Sequence, residues 1–341
     1  MRPIRLQPNQ LHRFYRGGSA IARLRAAASN DEYAPEDWVG STTTVFGKSR
    51  TGLSVLPDGQ SLRDAIVADP EGFLGPEHVA RYGTDPGLLV KLLDAGERLP
   101  VHFHPDRSFA QTHLGLSHGK TEAWLIVETR GDGRSVHLGF REDVDEETLA
   151  GWVARQEGEQ MLNALNELAV SPGDSVFVPA GLPHSIGDGV FLVELQEPTD
   201  LSVLLEWAGF AVDGSLNGHL GLGFEVALKG ITRRTLGSDE LTRLHSSHGD
   251  WQALHDGTKR LLPSEADPYF RAQALRPDPD IFVEPVFSIL VVLDGEGHLE
   301  TGRGDTLELR RGQTVLVPYA AGEAMLTGDI SAIRCLPPQP S

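Results

Sequence analysis

Three histidines and one glutamate in this sequence have the types and spacing to hold a metal ion. His102 and His104 flank Phe103. In an extended strand residues two apart point to the same face, so both imidazoles can reach one point. Glu122 opens the apolar run 123–127, and His184 follows a turn at Pro179 and Gly181. Three imidazoles and a carboxylate suit a divalent cation of borderline softness: zinc first, with iron, manganese or nickel also fitting the set. The single cysteine, Cys335, rules out an internal disulfide and leaves His and carboxylates as the metal donors.

The elements that must position these residues read as strands. Runs rich in β-branched and apolar residues recur at 88–93, 123–127, 136–140, 175–178, 190–195, 286–293 and 314–317, bounded by Gly, Pro, Asp or Asn. That is the pattern of a mainly β protein. Helix is expected in three places: 62–66 after Ser61, 145–156 after an acidic first turn, and 161–168. The last two form a small helical insert. Asp143 to Glu147 reads as a helix N-terminus. His113 and His118 read as surface loop residues, and Phe103 and Trp124 as packing groups.

The chain also contains a weak internal repeat. Gly173-Asp-Ser-Val-Phe-Val-Pro179-Ala-Gly181 is similar to Gly312-Gln-Thr-Val-Leu-Val-Pro318-Tyr-Ala-Ala-Gly322. The first copy runs on to His184, and the second has no histidine at the matching place. Two copies of one β unit, one with a ligand and one without, predict a duplicated fold with one live site. The boundary is expected between about 235 and 263, giving a metal-binding unit at 1–235 with the helical insert and a degenerate unit at 236–341.

A lone His-x-His in a β protein is more often structural than a ligand pair. The string Gly173-x5-Pro179-x-Gly181-x2-His184 changes the weighting. It resembles the second motif of the cupins, and His102-x-His104 resembles the start of their first. The resemblance implies a double cupin, two jelly-roll barrel units. His104-Pro105-Asp106, Gly119-Lys120-Thr121-Glu122 and His184-Ser185-Ile186-Gly187 narrow it to the type I mannose-6-phosphate isomerase family. His12-Arg13-Phe14-Tyr15-Arg16-Gly17-Gly18, Pro35 to Ser41 and Leu89 to Ala95 are similar too.

The resemblance implies a zinc site at His102, His104, Glu122 and His184, with His102 standing where the family has Gln. It also implies proton-handling roles for Lys120 and Glu194. Glu194 lies in an apolar strand, where an acid is costly to bury without a task or a partner. The family's arginine is missing: 199–207 holds neither Arg nor Lys, and Leu204 stands near its place. Arg16, Arg107 and Arg271 are the candidate replacements. Arg13, Arg16, Arg23 and Arg25 form a basic cluster that either balances the acidic body or lines the substrate mouth.

Composition limits the partners. With 30 Lys+Arg against 48 Asp+Glu, the net charge of −18 repels phosphate backbones. No apolar run approaches the ~20 residues of a membrane span. Arg2 and Arg5 are followed by no apolar segment, which reads against a secretory signal and for the cytoplasm. The function expected is a metal-dependent aldose–ketose isomerase acting on a small sugar or sugar phosphate through an enediol. The alternatives are another cupin metalloenzyme, such as an oxygenase or epimerase or one acting on a non-phosphorylated sugar, and a non-catalytic sugar sensor.

Overall fold

The computed structural model describes residues 1–28, 31–131, 134–249 and 257–339. Residues 250–256, inside the stretch expected to join the two units, lie outside the described residues. Among the described residues, no helix is long and apolar enough to cross a membrane.

Among the described residues, the strands form three antiparallel sheets. One has seven strands, ordered His245–Ser247, Asp174–Val178, Glu122–Thr129, Val190–Gln196, Leu89–Asp94, Glu36–Val39 and Gln10–Leu11. Its central strands read as continuous apolar runs because both faces are covered: Val90, Leu92, Leu125, Ile126, Leu192 and Val193 are fully buried. The second sheet has five strands, ordered Val203–Leu204, His102–Phe103, His184–Ile186, Ser135–Phe140 and Leu165–Ala169. The third has nine, built around Thr314–Val317, Ser288–Thr301, Ile330–Leu336 and Arg271–Arg276, with the N-terminal strand Ile4–Leu6 at one edge. The architecture is mainly β, as expected. The sheets are open, however, and none of them runs round into the closed barrel that the jelly-roll picture suggested.

The internal repeat is visible in the strand pairing. Asp174–Val178, Glu122–Thr129, Val190–Gln196 and Leu89–Asp94 lie in the same order as Thr314–Val317, Ser288–Thr301, Ile330–Leu336 and Arg271–Arg276. Registers match as well: Glu122 faces Val178 as Ser288 faces Val317, and Glu194 faces Lys91 as Arg334 faces Gln273. In the C-terminal copy, Arg334 and Ser288 therefore stand where the first copy has Glu194 and Glu122. Arg334 Nε donates to Ser288 Oγ at 3.1 Å, so these two positions satisfy each other.

Helices fill the connections. Ser61, Asp106 and Asp145 cap Leu62–Ala68, Arg107–Leu114 and Glu146–Arg155 through the backbone N–H of Asp64, Phe109 and Thr148. The expected helix over 161–168 is corrected: the helix is Gly158–Asn163, and Leu165–Ala169 is a strand. Its burial alternates along the chain, and its backbone pairs with Ser135–Phe140, so a sheet edge outweighs the helix-forming Leu, Glu and Ala residues. Arg107–Leu114, read as loop, is also helical, and it carries the exposed His113.

His118, expected at the surface, is instead tied into the structure. Its Nε2 lies 2.6 Å from Asp85 Oδ2 and its Nδ1 3.5 Å from Glu197 Oε1. Burial opposes its charge, but these two carboxylates push its pKa up to about 9. A histidine whose folded pKa is raised contributes stability in full below its unfolded value of ~6.5 and loses it as pH rises through the folded value. The melting temperature of the protein is thus expected to fall from pH 6.5 to pH 9.5 more steeply than that of His118→Gln. Parallel curves would sink this reading.

Candidate metal and sugar site

The site lies between the seven-stranded and five-stranded sheets. The five-stranded sheet supplies His102 and His184, which face each other across one antiparallel pair. His104 follows directly, beyond the end of that strand. The seven-stranded sheet supplies Glu122, Lys91 and Glu194, and Lys120 is in the turn just before Glu122. All six residues predicted from the sequence meet here, and each is buried.

The three imidazoles are held in one tautomer by the backbone. Nδ1 of His102 lies 2.8 Å from Pro100 O, that of His104 2.7 Å from Leu201 O, and that of His184 2.8 Å from Leu182 O. Carbonyls only accept, so each Nδ1 carries the proton and each Nε2 offers a lone pair. One ligand atom from each ring lies within 4.8 Å of the others. Glu122 reaches into the same space: Oε2 is 3.1 Å from His104 Nε2 and Oε1 is 3.3 Å from His184 Nε2. Burial drives the pKa of His102 and His184 down and takes His104 to about 3. Glu122 is opposed by its burial but is held well below the usual carboxylate range by Lys120 and His104. Neutral imidazoles beside an ionised carboxylate are the protonation states a metal requires.

The donor set fits such an ion on a further ground. His184 Nε2 is buried and accepts no hydrogen bond, and Glu122 Oε2 has only the Lys120 ammonium beside it. An unpartnered buried acceptor is costly, and a cation at His184 Nε2 would satisfy it. Lys120 Nζ borders this space at 2.9 Å from His104 Nε2 and 3.0 Å from Glu122 Oε2. Trp124 Nε1 donates to Glu122 Oε1 at 3.0 Å and the ring sits edge-on to His184. Trp124, whose sequence context indicates packing alone, thus also aims the carboxylate.

Two loops set these positions. Gly181 N donates to His104 O at 2.7 Å, joining the turn before His184 to the His-x-His segment. Gly181 has φ +89, and a Cβ there would lie 2.8 Å from Thr232 Oγ1. Gly181→Ala is expected to cost about 1–3 kcal/mol from backbone strain, read as a lowered melting temperature together with weaker metal retention. A variant with unchanged melting would refute this. On the other side, Thr121 N donates to Glu197 Oε2 at 2.9 Å, and Lys120 N to Pro105 O at 3.0 Å.

Glu194 Oε1 lies 3.6 Å from both Lys120 Nζ and Lys91 Nζ and receives no hydrogen bond. Burial, with Glu122 and Glu36 nearby, pushes its pKa up to about 7 against the pull of Lys91 and Lys120. Lys91 is a site residue that the sequence motifs do not single out. A signal for it exists, since a lysine in an all-buried strand poses the same question as Glu194, its partner across the strands.

The cavity over these groups is tight, with a volume of about 40 Å³. Arg13, Tyr15, Glu36, Asp200 and Ser202 complete its wall. Of the basic cluster, only Arg13 reaches it. Arg23 pairs with Glu128 and Arg25 with Asp37. None of the expected replacements for the missing arginine lines the cavity: Arg16 stacks on Tyr33, Arg107 pairs with Glu197 and Arg271 donates to Pro337 O.

No family model matches the chain. It is 28% identical over 252 residues to mannose-6-phosphate isomerase ManA of Bacillus subtilis, covering 72% of this chain and 73% of that protein. It is 25% identical over 337 residues to mannose-6-phosphate isomerase of Streptococcus mutans, covering 97% of each. Among solved structures, mannose 6-phosphate isomerase from Bacillus subtilis superposes with a TM-score of 0.75 at 21% identity, over 98% of this chain and 99% of that one. A variant of phosphomannose isomerase from Salmonella typhimurium gives 0.73 at 16% identity, over 99% and 100%. In sequence and in fold, this chain is a homologue of proteins named mannose-6-phosphate isomerase.

Proposed function

We propose that this protein is a metal-dependent aldose–ketose isomerase, with zinc the preferred ion at His102, His104, Glu122 and His184. The observation that carries the reading is the inward convergence of three Nε2 lone pairs and one ionised carboxylate beside two further proton-bearing groups, Lys120 and Glu194. The homologues' names supply the reaction class. When bound, the ion would supply Lewis acidity to the oxygens on the two reacting carbons.

The remaining work falls to side chains of this chain. Glu194 takes the proton from one carbon and returns it to the neighbouring carbon, passing through an enediol. A carboxylate near neutral pKa suits that exchange. Lys120 Nζ is placed to donate to a substrate oxygen, and Lys91 holds Glu194 from the opposite side. The residues from 1 to 235 form the working unit in this proposal, and those from 236 to 341 a degenerate copy. The single buried cysteine suits a cytoplasmic enzyme. The test is conversion of aldoses to ketoses by purified zinc-loaded protein, beginning with mannose 6-phosphate and D-mannose. A protein that retains zinc and interconverts no aldose and ketose would refute the reading.

A further inference from the structure

The isomerase reading leaves open what the far end of the sugar carries, and the charges around the cavity bear on that question. Among the described residues, the Lys and Arg side chains lining the inner cavity are Arg13, Lys91 and Lys120. Each is already committed to carboxylates. Lys91 Nζ lies 3.4 Å from Glu36 and 3.6 Å from Glu194, and Lys120 Nζ lies 3.0 Å from Glu122. Arg13 turns its two Nη atoms onto Asp200 at 3.3 and 3.2 Å, and its Nε lies 3.2 Å from Glu36. With a divalent ion on Glu122, Arg13 and Lys91 still keep Asp200, Glu36 and Glu194 as their carboxylate partners. Asp200 is further fixed by Phe46 N at 3.2 Å.

Beyond this lies a wider vestibule, which shares Arg13, Phe14, Asp200, Ser202 and Leu204 with the inner cavity. Its wall is largely apolar, with Phe14, Val45, Phe46, Leu204, Val212 and Leu216. Phe46 is 42% and Leu216 70% exposed. Arg13 is again its only Lys or Arg among the described residues. His12, also on this wall, is paired with Asp31 at 2.9 Å. A phosphate dianion needs an Arg fork or several charge-assisted donors. Here it would have to displace Asp200 from Arg13 and then lie against Asp200 and Glu36.

We infer, on the basis of the isomerase reading, that the substrate is an unphosphorylated aldose, with its far carbon against Leu204 and the apolar vestibule. Hydroxyl groups can share the carboxylate acceptors that repel a phosphate, and Leu204 and Phe14 suit the CH face of a neutral sugar.

The experiment pairs binding with turnover. Zinc-loaded protein is titrated calorimetrically with D-mannose, 6-deoxy-D-mannose and mannose 6-phosphate, and the same sugars are assayed for ketose formation. The two neutral sugars are expected to bind at least tenfold more tightly than the phosphate and to be turned over with a kcat/KM at least tenfold higher. Leu204→Arg should shift both ratios toward the phosphate by at least tenfold. Tighter binding or preferred turnover of mannose 6-phosphate by the unaltered protein overturns the inference while leaving the isomerase reading standing. Preferential binding of the neutral sugars with no turnover of any of the three overturns the inference, since a bound sugar that is not converted is no substrate, and it counts against the isomerase reading as well. Binding of none of the three overturns the inference.

Discussion

His184→Ala is expected to lower isomerase turnover by about three orders of magnitude, with the fold retained. The ring is buried, its Nδ1 is fixed by Leu182 O, and its Nε2 lies 3.3 Å from Glu122 Oε1. Removing it takes one of three imidazoles from the cluster, while Glu122 Oε1 keeps its bond from Trp124 Nε1. Lewis-acid assistance is worth several kcal/mol, and each 1.36 kcal/mol is a factor of ten, which sets the size of the loss. Zinc content should fall in parallel. His184 lies on a short strand paired on both sides, so the backbone bonds persist without the ring. Circular dichroism and melting separate loss of metal from loss of fold. Chelation of the unaltered protein should reproduce the loss, and added zinc should restore it. A folded His184→Ala protein that has lost its zinc and keeps unaltered turnover would exclude the ion from the reaction.

The second large effect belongs to Glu194→Gln. The amide keeps the shape and removes the base, so turnover should drop by about 10²- to 10⁴-fold, the range of general acid–base assistance. The pH profile is the more specific readout. With the carboxyl pushed up to about 7, the ionised base grows with pH through neutrality, and the rate should climb on the acid side. Glu194→Gln should lose that limb. Stability moves the other way. An acid whose folded pKa lies above its unfolded value is penalised when it ionises, so the penalty grows from near pH 4.5 upward and is complete above about 7. At pH 8 the variant should melt no lower than the parent protein. A variant that keeps the acid limb would move the base elsewhere, with Lys120 the next to test.

Much of this site is legible in the amino-acid sequence because its signals are local. His-x-His on an extended segment needs only the two-residue period of a strand. The Gly181 turn needs only the positive φ that glycine tolerates, and it shows φ +89. The helix starts at Ser61 and Asp145 are marked by side chains that bond their own backbone three residues on, which is equally local. Lys91 is not legible in this way because its role exists only across strands, whereas Trp124 bonds Glu122 two residues before it and its part depends on that strand face turning inward. Glu194 faces Lys91 on one side and Trp124 on the other, and no spacing along the chain reveals that pairing. Arg13 stands out in the sequence only as part of a basic cluster, and its task depends on Asp200, 187 residues away.

By itself, then, the sequence determined the mainly β character, the repeat, the four metal-ligand candidates and the two proton-handling candidates. The first three follow from short-range sterics, side-chain chemistry or a motif of a few residues, and the proton-handling pair from the resemblance to the mannose-6-phosphate isomerases. The tertiary structure alone decided that the sheets stay open, that Leu165–Ala169 is a strand, and that every cation bordering the cavity has a carboxylate partner. Those outcomes depend on which distant backbones pair and which charges become neighbours after burial. Competing long-range contacts settle them by free energy, and local patterns carry no record of that competition.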